Sequence, residues 1–278
     1  MSATHARTKP FLRLAAAALA TVAALGMAAC SGGAGSGSAT GAQVGERSPE
    51  QIKEAGEIVI GIFSDKAPFG YIDADGKPAG YDVVYGDRIA ADLGVTAKYV
   101  PVDAAARTEV LASNKVDITL ANFTVTPERA EKVDFANPYF KVSLGVVSPS
   151  SAEITDVGQL AGKTLIVTKG TTAEAYFEAN HPEVKLQKYD QYSDAYQALE
   201  DGRGDAFSTD NTEVIAWAIA HPGFSVGIKS LGETSYIAAA VKKGNAPLLD
   251  WLNNQLTELG EENFFHKDYE QTLAPVYG

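Results

Sequence analysis

DITLANFTVTPERAEKVDFANPY, Asp117–Tyr139, passes from a strand into a helix within a few residues. Asp117-Ile-Thr-Leu alternates polar and apolar and is rich in β-branched residues, the mark of a half-buried strand. It runs out at Asn122-Phe123-Thr124. Thr126-Pro127-Glu128-Arg129 then reads as a helix start, with Thr126 at N-cap and Pro127 at the first helical position. The helix ends near Lys132. This order puts the Thr124 and Thr126 hydroxyls, free backbone N–H groups and the Arg129 guanidinium at one strand end. A two-pronged cation beside a helix N-terminus is a carboxylate socket. The bland alternative is a capped surface helix with a solvated arginine.

The first 29 residues read as a leader. Arg7, Lys9 and Arg13 precede an alanine-rich apolar run that is too short to favour a permanent membrane span. It ends in Leu25-Gly-Met-Ala-Ala-Cys30, small residues before the only cysteine. That pattern resembles a bacterial lipobox, in which Cys30 is acylated and becomes the mature N-terminus. Two acyl chains suffice for stable anchoring, whereas one is marginal. Residues 31–45 are almost all Gly, Ser, Ala and Thr, so 30–47 reads as a flexible tether and the folded part as starting near Ser48. Losing the three basic leader residues takes the formal charge from −12 to −15. So acidic a chain is a poor partner for nucleic acid or an anionic membrane face. The four histidines are scattered and no cysteine pair exists, so no metal and no cofactor is expected.

Strands and helices alternate along the remainder, which predicts an α/β fold. Glu57–Phe63 reads as a buried strand ending in Asp65-Lys-Ala-Pro-Phe-Gly-Tyr71. Asp65, Phe69 and Tyr71 thus follow the carboxyl end of a strand, where open α/β sheets place ligands. They also fit an ordinary turn. Tyr81–Leu93 reads as an amphipathic helix stopped by Gly94. Arg107 falls in a helix first turn, where the dipole disfavours a cation; it is either solvated or held there for a purpose. Strand Thr164–Thr168 leads into Lys169-Gly-Thr-Thr172 and a helix, a second donor-rich turn without the nucleotide-binding pattern GxxxxGK. Asp210 ends a further strand, and as a residue type it fits an N-cap. Phe224–Ile228 and Tyr236–Val241 read as two strands, and Ala246–Gly260 as a long helix. Two donor-rich turns in two halves suggest one ligand clamped between two lobes.

The ordered set Ile60-Gly61, Asp65…Pro68-Phe69, Gly80-Tyr-Asp82, Lys115-Val-Asp117, Thr126-Pro-Glu-Arg129, Val133-Asp-Phe135…Pro138-Tyr139 and Lys169-Gly-Thr-Thr172 resembles the bacterial solute-binding proteins of family 3. Within it, Phe63–Tyr71, Ser113–Asp117, Leu120–Thr124, Lys169–Ala173 and Phe264-Phe-His-Lys267 look most like the cysteine-binding branch. The resemblance implies an ABC-importer receptor with a clamshell fold. Lobe 1 would span 48–142 and 237–278, and lobe 2 would span 143–236. It implies that Arg129 pairs with a ligand α-carboxylate and Asp210 with the α-ammonium. Thr124, Asn122, Thr171 and Thr172 would complete the site, with Phe69 and Tyr71 as an aromatic wall. Ala104 stands where several members carry an aromatic residue.

A binding protein needs no catalytic residue. The implied receptor is a monomer on the outer face of the cell membrane, held there only by its lipid and served by a permease and an ATPase. The alternatives are a dehydratase on the same fold, for which Glu174 is the nearest general acid, and a sensor domain; the chain shows no span or kinase segment before Gly278. The small polar lining favours a small polar amino acid, and the resemblance to the cysteine-binding branch puts L-cysteine first. The sequence offers no clear second cation for an acidic side chain, while Asp65 keeps a basic ligand open. If Cys30 carries the anchor, Cys30→Ser releases the protein from the membrane or leaves it as uncleaved precursor in cell fractionation. A correctly processed, membrane-bound variant would contradict the lipobox reading.

Overall fold

The computed structural model describes residues 43–277; the leader, Cys30 and most of the stretch read as tether lie outside them. The chain opens with helix α1 (Pro49–Ala55), capped by Ser48, and strand β1 (Glu57–Ile62). A small antiparallel sheet follows: β2 (Asp65–Lys66), β3 (Gly70–Ile72) and β4 (Pro78–Ala79). Its β3–β4 hairpin turns at Asp73, whose Oδ1 accepts the Asp75 and Lys77 N–H groups. Next come α2 (Tyr81–Leu93), β5 (Thr96–Pro101), α3 (Arg107–Ala112), β6 (Ile118–Thr119) and α4 (Pro127–Lys132). The expected cap is present: the Thr126 hydroxyl accepts the Arg129 N–H, with Pro127 at the first position.

The second half holds β8 (Thr164–Thr168), α5 (Thr172–Asn180), β9 (Lys185–Tyr189), α6 (Tyr192–Glu200), β10 (Ala206–Asp210) and α7 (Asn211–Ala220). Two long strands join the halves, β7 (Val133–Pro149) and β11 (Phe224–Lys242). Helices α8 (Ala246–Glu261) and α9 (Phe264–Asp268) return to the first half. The large sheet runs β5-β1-β6-β11-β7-β10-β8-β9. Its outer pairs β1–β5, β1–β6, β8–β9 and β8–β10 are parallel, and β7 and β11 are antiparallel to their neighbours. None of the described helices is long and apolar enough to cross a membrane.

Three readings differ from this structure. The two strands expected around 224–241 are one, because Lys229–Ser235 lacks apolar alternation yet stays extended against β7. Register shifts between Ile228, Leu231 and Ser235 absorb that irregular stretch. The sequence reads as a strand only over Phe140–Val147, yet β7 begins at Val133; Pro138 pairs opposite Ala238 beside a register shift, where the missing N–H is tolerated. Finally, Gln43–Arg47, read as tether, packs on the body. Asp117 accepts from the Gly45 N–H, the Val59 N–H and the Arg47 Nε at 3.0, 2.8 and 2.9 Å. Composition cannot reveal a pairing made 70 residues away.

The first half's core gathers Ile58, Ile60, Leu248 and Leu252 with a stack of aromatic rings. Phe265 packs on Tyr81, Tyr85 and Tyr139, tying α9 to α2 and β7. Beneath the stack Asp268 is 2% exposed; its Oδ1 accepts from the Thr272 hydroxyl and its Oδ2 has no partner among the described residues. Burial, with Asp82 nearby, raises this carboxyl from its ordinary 3.8 to about 8. The folded state therefore keeps a proton that the unfolded chain gives up, and stability falls as pH rises from about 4 to about 8. Asp268→Asn should raise the melting temperature at pH 8 by a few degrees, about 1 kcal/mol or more, and leave it near wild type at pH 4. Scanning calorimetry across that range checks the slope.

Candidate functional site

The site is built on the turn after β6. Asn122 adopts φ +41, a left-handed conformation that asparagine tolerates better than most residues. Asp82 fixes it: one carboxylate oxygen accepts the Asn122 N–H at 2.6 Å and the other accepts the Tyr139 hydroxyl at 2.6 Å. Burial raises the Asp82 carboxyl to about 6, against the pull of those two hydrogen bonds.

So held, the turn presents its carbonyls to Arg107. The Arg107 Nη1 donates to the Ala121 and Asn122 oxygens at 3.2 and 3.0 Å, and its Nε donates to the Ala104 oxygen at 2.9 Å. The guanidinium lies over Phe123, 4.6 Å from the ring centroid. Arg129, from α4, approaches the same ring at 5.2 Å and donates from Nη1 to the Thr124 oxygen at 2.7 Å. Each arginine has one Nη2 left, and both reach across to the second half. They donate to a single atom, the Gly170 oxygen, at 3.1 and 2.9 Å.

Gly170 is the residue such a meeting requires. Its φ is +73, and a Cβ there would lie 2.5 Å from the Ala105 Cα. Its N–H donates to Glu174 Oε2 at 2.6 Å, at the start of α5. Thr171 caps that helix by accepting the Glu174 N–H, and it donates to the Thr168 oxygen.

Among the described residues, every hydrogen-bond partner of the two guanidiniums is a backbone carbonyl, and no carboxylate is among them. Carbonyls supply partial charge only, so two adjacent cations, Arg107 buried and Arg129 half-buried, are left in want of an anion. Burial lowers the Arg107 pKa, and burial together with Arg107 lowers that of Arg129 to about 9. A groove of about 600 Å³ opens on this pair, lined also by Ala104, Phe123, Thr171 and Thr172. The Asn122 side-chain amide adds a buried donor with no partner among the described residues.

A second charged group lies beyond Phe63, whose ring is 5.4 Å from the Arg107 guanidinium carbon and 5.8 Å from Lys66 Nζ. Lys66, wholly buried on β2, donates to Thr209 Oγ1 at 3.1 Å and to Glu213, and lies 3.6 Å from Asp210. Burial works against this ammonium, but Glu213, Tyr192 and Asp210 outweigh it and hold its pKa above the ordinary value. Asp210 occupies the N-cap position of α7 but makes no capping hydrogen bond, so its carboxylate is not spent on the helix.

The structure thus gathers Arg129, Asn122, Thr124, Thr171 and Thr172 around the arginine groove, and it sets Asp210 beside Lys66. It does not bring in the other three expected residues. Phe69 is fully buried in the first core, edge-on to Tyr81 and Phe140. Asp65 accepts the Ser193 N–H at 3.1 Å, at the start of α6. Tyr71 pairs opposite Asp65 in the small sheet.

Of the two Arg107 alternatives the solvated one fails, because the side chain is buried beside Arg129. Lys66, Glu213, Tyr192 and Phe63 were missed. The Asp210–Glu213 pair looks like acids favoured by a helix dipole, and Lys66 like a solvated turn residue. Glu174, the candidate general acid, is occupied by the Gly170 N–H and by Lys188 at 2.9 Å. Among the described residues no cluster of His, Cys, Asp or Glu has metal-ligand character.

The sequence profile of the bacterial extracellular solute-binding proteins, family 3, matches residues 58–273, and the chain belongs to that family. Two solved structures are similar at 51% identity. One is the solute receptor for L-cysteine of Neisseria gonorrhoeae, with TM-score 0.82 over 84% of this chain and 96% of that one. The other is the cysteine-binding protein from Campylobacter jejuni, with TM-score 0.81 over 83% and 94%. The ABC transporter glutamine-binding protein of Bacillus subtilis (strain 168) is 27% identical over 227 residues, 80% of this chain and 83% of its own length. The fold is accordingly the two-lobed periplasmic-binding-protein fold, with the arginine groove between the lobes.

Arg129→Lys removes the fork while keeping the charge. It should weaken binding of a carboxylate ligand by about 2 kcal/mol or more and barely move the melting temperature of the free protein. Titration calorimetry with a parallel melt reads both; unchanged affinity would remove Arg129 from the site.

Proposed function

We propose that this chain is the extracytoplasmic receptor of an ABC importer and that it captures L-cysteine between its lobes. One observation carries the reading: the buried Arg107 and half-buried Arg129 guanidiniums converge on one carbonyl with no carboxylate partner among the described residues. The ligand α-carboxylate completes them, and the uncapped Asp210 receives the α-ammonium. Burying both ligand charges is tolerable because each is paired.

Arg107 and Arg129 belong to the first lobe, so the open form takes the carboxylate there. Closure then brings up the Gly170 turn and Asp210. The hinge lies in β7 near 143–147 and in β11 near 232–237, where pairing is irregular. The closed outline is what the permease and ATPase assembly would engage, with Cys30 as lipid anchor. No bond is made or broken.

The choice of cysteine among amino acids rests on the two cysteine receptors at 51% identity and on Ala104, a small buried residue lining the groove. A thermal-shift panel of the twenty amino acids plus cystine, with reductant present, tests it, because a ligand that binds only the folded state raises apparent stability. Cysteine should give the largest shift. A shift with glutamate or arginine and none with cysteine would overturn the assignment and leave an amino-acid receptor of another specificity.

A further inference from the structure

The acid pocket beside the ligand site is filled by the protein itself. Asp210 and Glu213 are both buried, 6% and 0% exposed, at the start of α7. Two carboxylates enclosed this way call for two cations. Lys66 supplies one. It comes from the first lobe, while its polar partners Thr209, Asp210 and Glu213 all come from the second. Its ammonium also sits 4.0 Å from the ring centroid of Tyr192, which stands edge-on to Phe63.

On the amino-acid-receptor reading, on which this inference rests, the ligand α-ammonium is the second cation. A third has nowhere to go. Asp65 is committed to the Ser193 N–H, and Asp82 to the Asn122 N–H and the Tyr139 hydroxyl.

We infer that Lys66 is a specificity-determining residue: its ammonium takes the place in the Asp210–Glu213 pocket that the side chain of a dibasic amino acid needs. Lysine, ornithine and arginine are therefore rejected by charge. A flexible stem ending in a compact, strongly hydrated cation describes the Lys66 side chain and that of lysine or ornithine alike. The residue is a built-in surrogate for the ligand it excludes. A mere clamp between the lobes would affect all ligands equally, so selectivity separates the two roles.

The test is titration calorimetry at pH 8 with L-cysteine and L-ornithine, on wild type, Lys66→Met and Glu213→Gln. Wild type should bind cysteine and give no heat with ornithine. Lys66→Met should bind ornithine, with the ornithine-to-cysteine affinity ratio raised at least a hundredfold. In Glu213→Gln, Lys66 keeps Asp210 and Thr209, so the fold has no uncompensated charge. There one carboxylate must serve both ammonium groups, and affinity for L-cysteine should fall at least tenfold with ornithine still giving no heat. An unchanged ratio in Lys66→Met overturns the inference. So does full affinity in Glu213→Gln, which decides the matter even if Lys66→Met fails to fold. A wild type that binds amino acids alongside either result defeats this inference alone; a wild type that binds none defeats the receptor reading as well.

Discussion

Two neighbouring guanidiniums, Arg107 buried and Arg129 half-buried, with no carboxylate partner among the described residues, are the constraint on which this structure turns. Each is costly to desolvate, and placing one beside the other adds repulsion. The structure meets the cost in part with carbonyls of Ala104, of the 121–124 turn and of Gly170, and with the face of Phe123. What remains is a strong preference for an anion at one place. The Gly170 carbonyl that both arginines share comes from the other half of the chain, so these hydrogen bonds tie the two halves together at the groove.

The surrounding architecture serves that meeting. Asp82, buried in the first turn of α2, fixes the Asn122 turn and so sets the direction of the carbonyls that hold Arg107. Tyr139 links Asp82 to the aromatic core, and through Phe265 to the returning helix α9. The terminal segment of the chain thereby supports the ligand end of the first lobe. On the second lobe, Gly170 combines a left-handed backbone with the absence of a side chain, and both are needed for Ala105 to approach. Lys66 adds a third cation, so the first lobe sends Arg107, Arg129 and Lys66 toward acceptors of the second.

Much of this was legible in the sequence. The Thr126-Pro127 helix start, the Gly94 stop and the strand at Thr164–Thr168 are local events, dictated by residues a few positions apart. Arg129 stood out because a cap and a cation share one turn. Arg107 was an anomaly in the wrong turn of a helix, and only burial told which alternative held. What stayed hidden depends on distant partners. Asp65 and Lys66 are neighbours in sequence, yet one caps α6 and the other fills the acid pocket of α7, both on the far lobe. Phe69 follows the same strand but turns inward, because Tyr81 and Phe140 enclose it. Arg47 lies at the end of a stretch whose composition reads as tether, and only Asp117 explains its place.

The central claim is that the arginine pair binds a ligand carboxylate. The most direct measurement compares L-cysteine with cysteamine, which keeps the amine and the thiol but lacks the carboxylate, by titration calorimetry on the purified mature protein under reductant. The account predicts saturable binding of L-cysteine and at least a thousandfold weaker binding of cysteamine, a difference of about 4 kcal/mol. Comparable affinities for the two would contradict it.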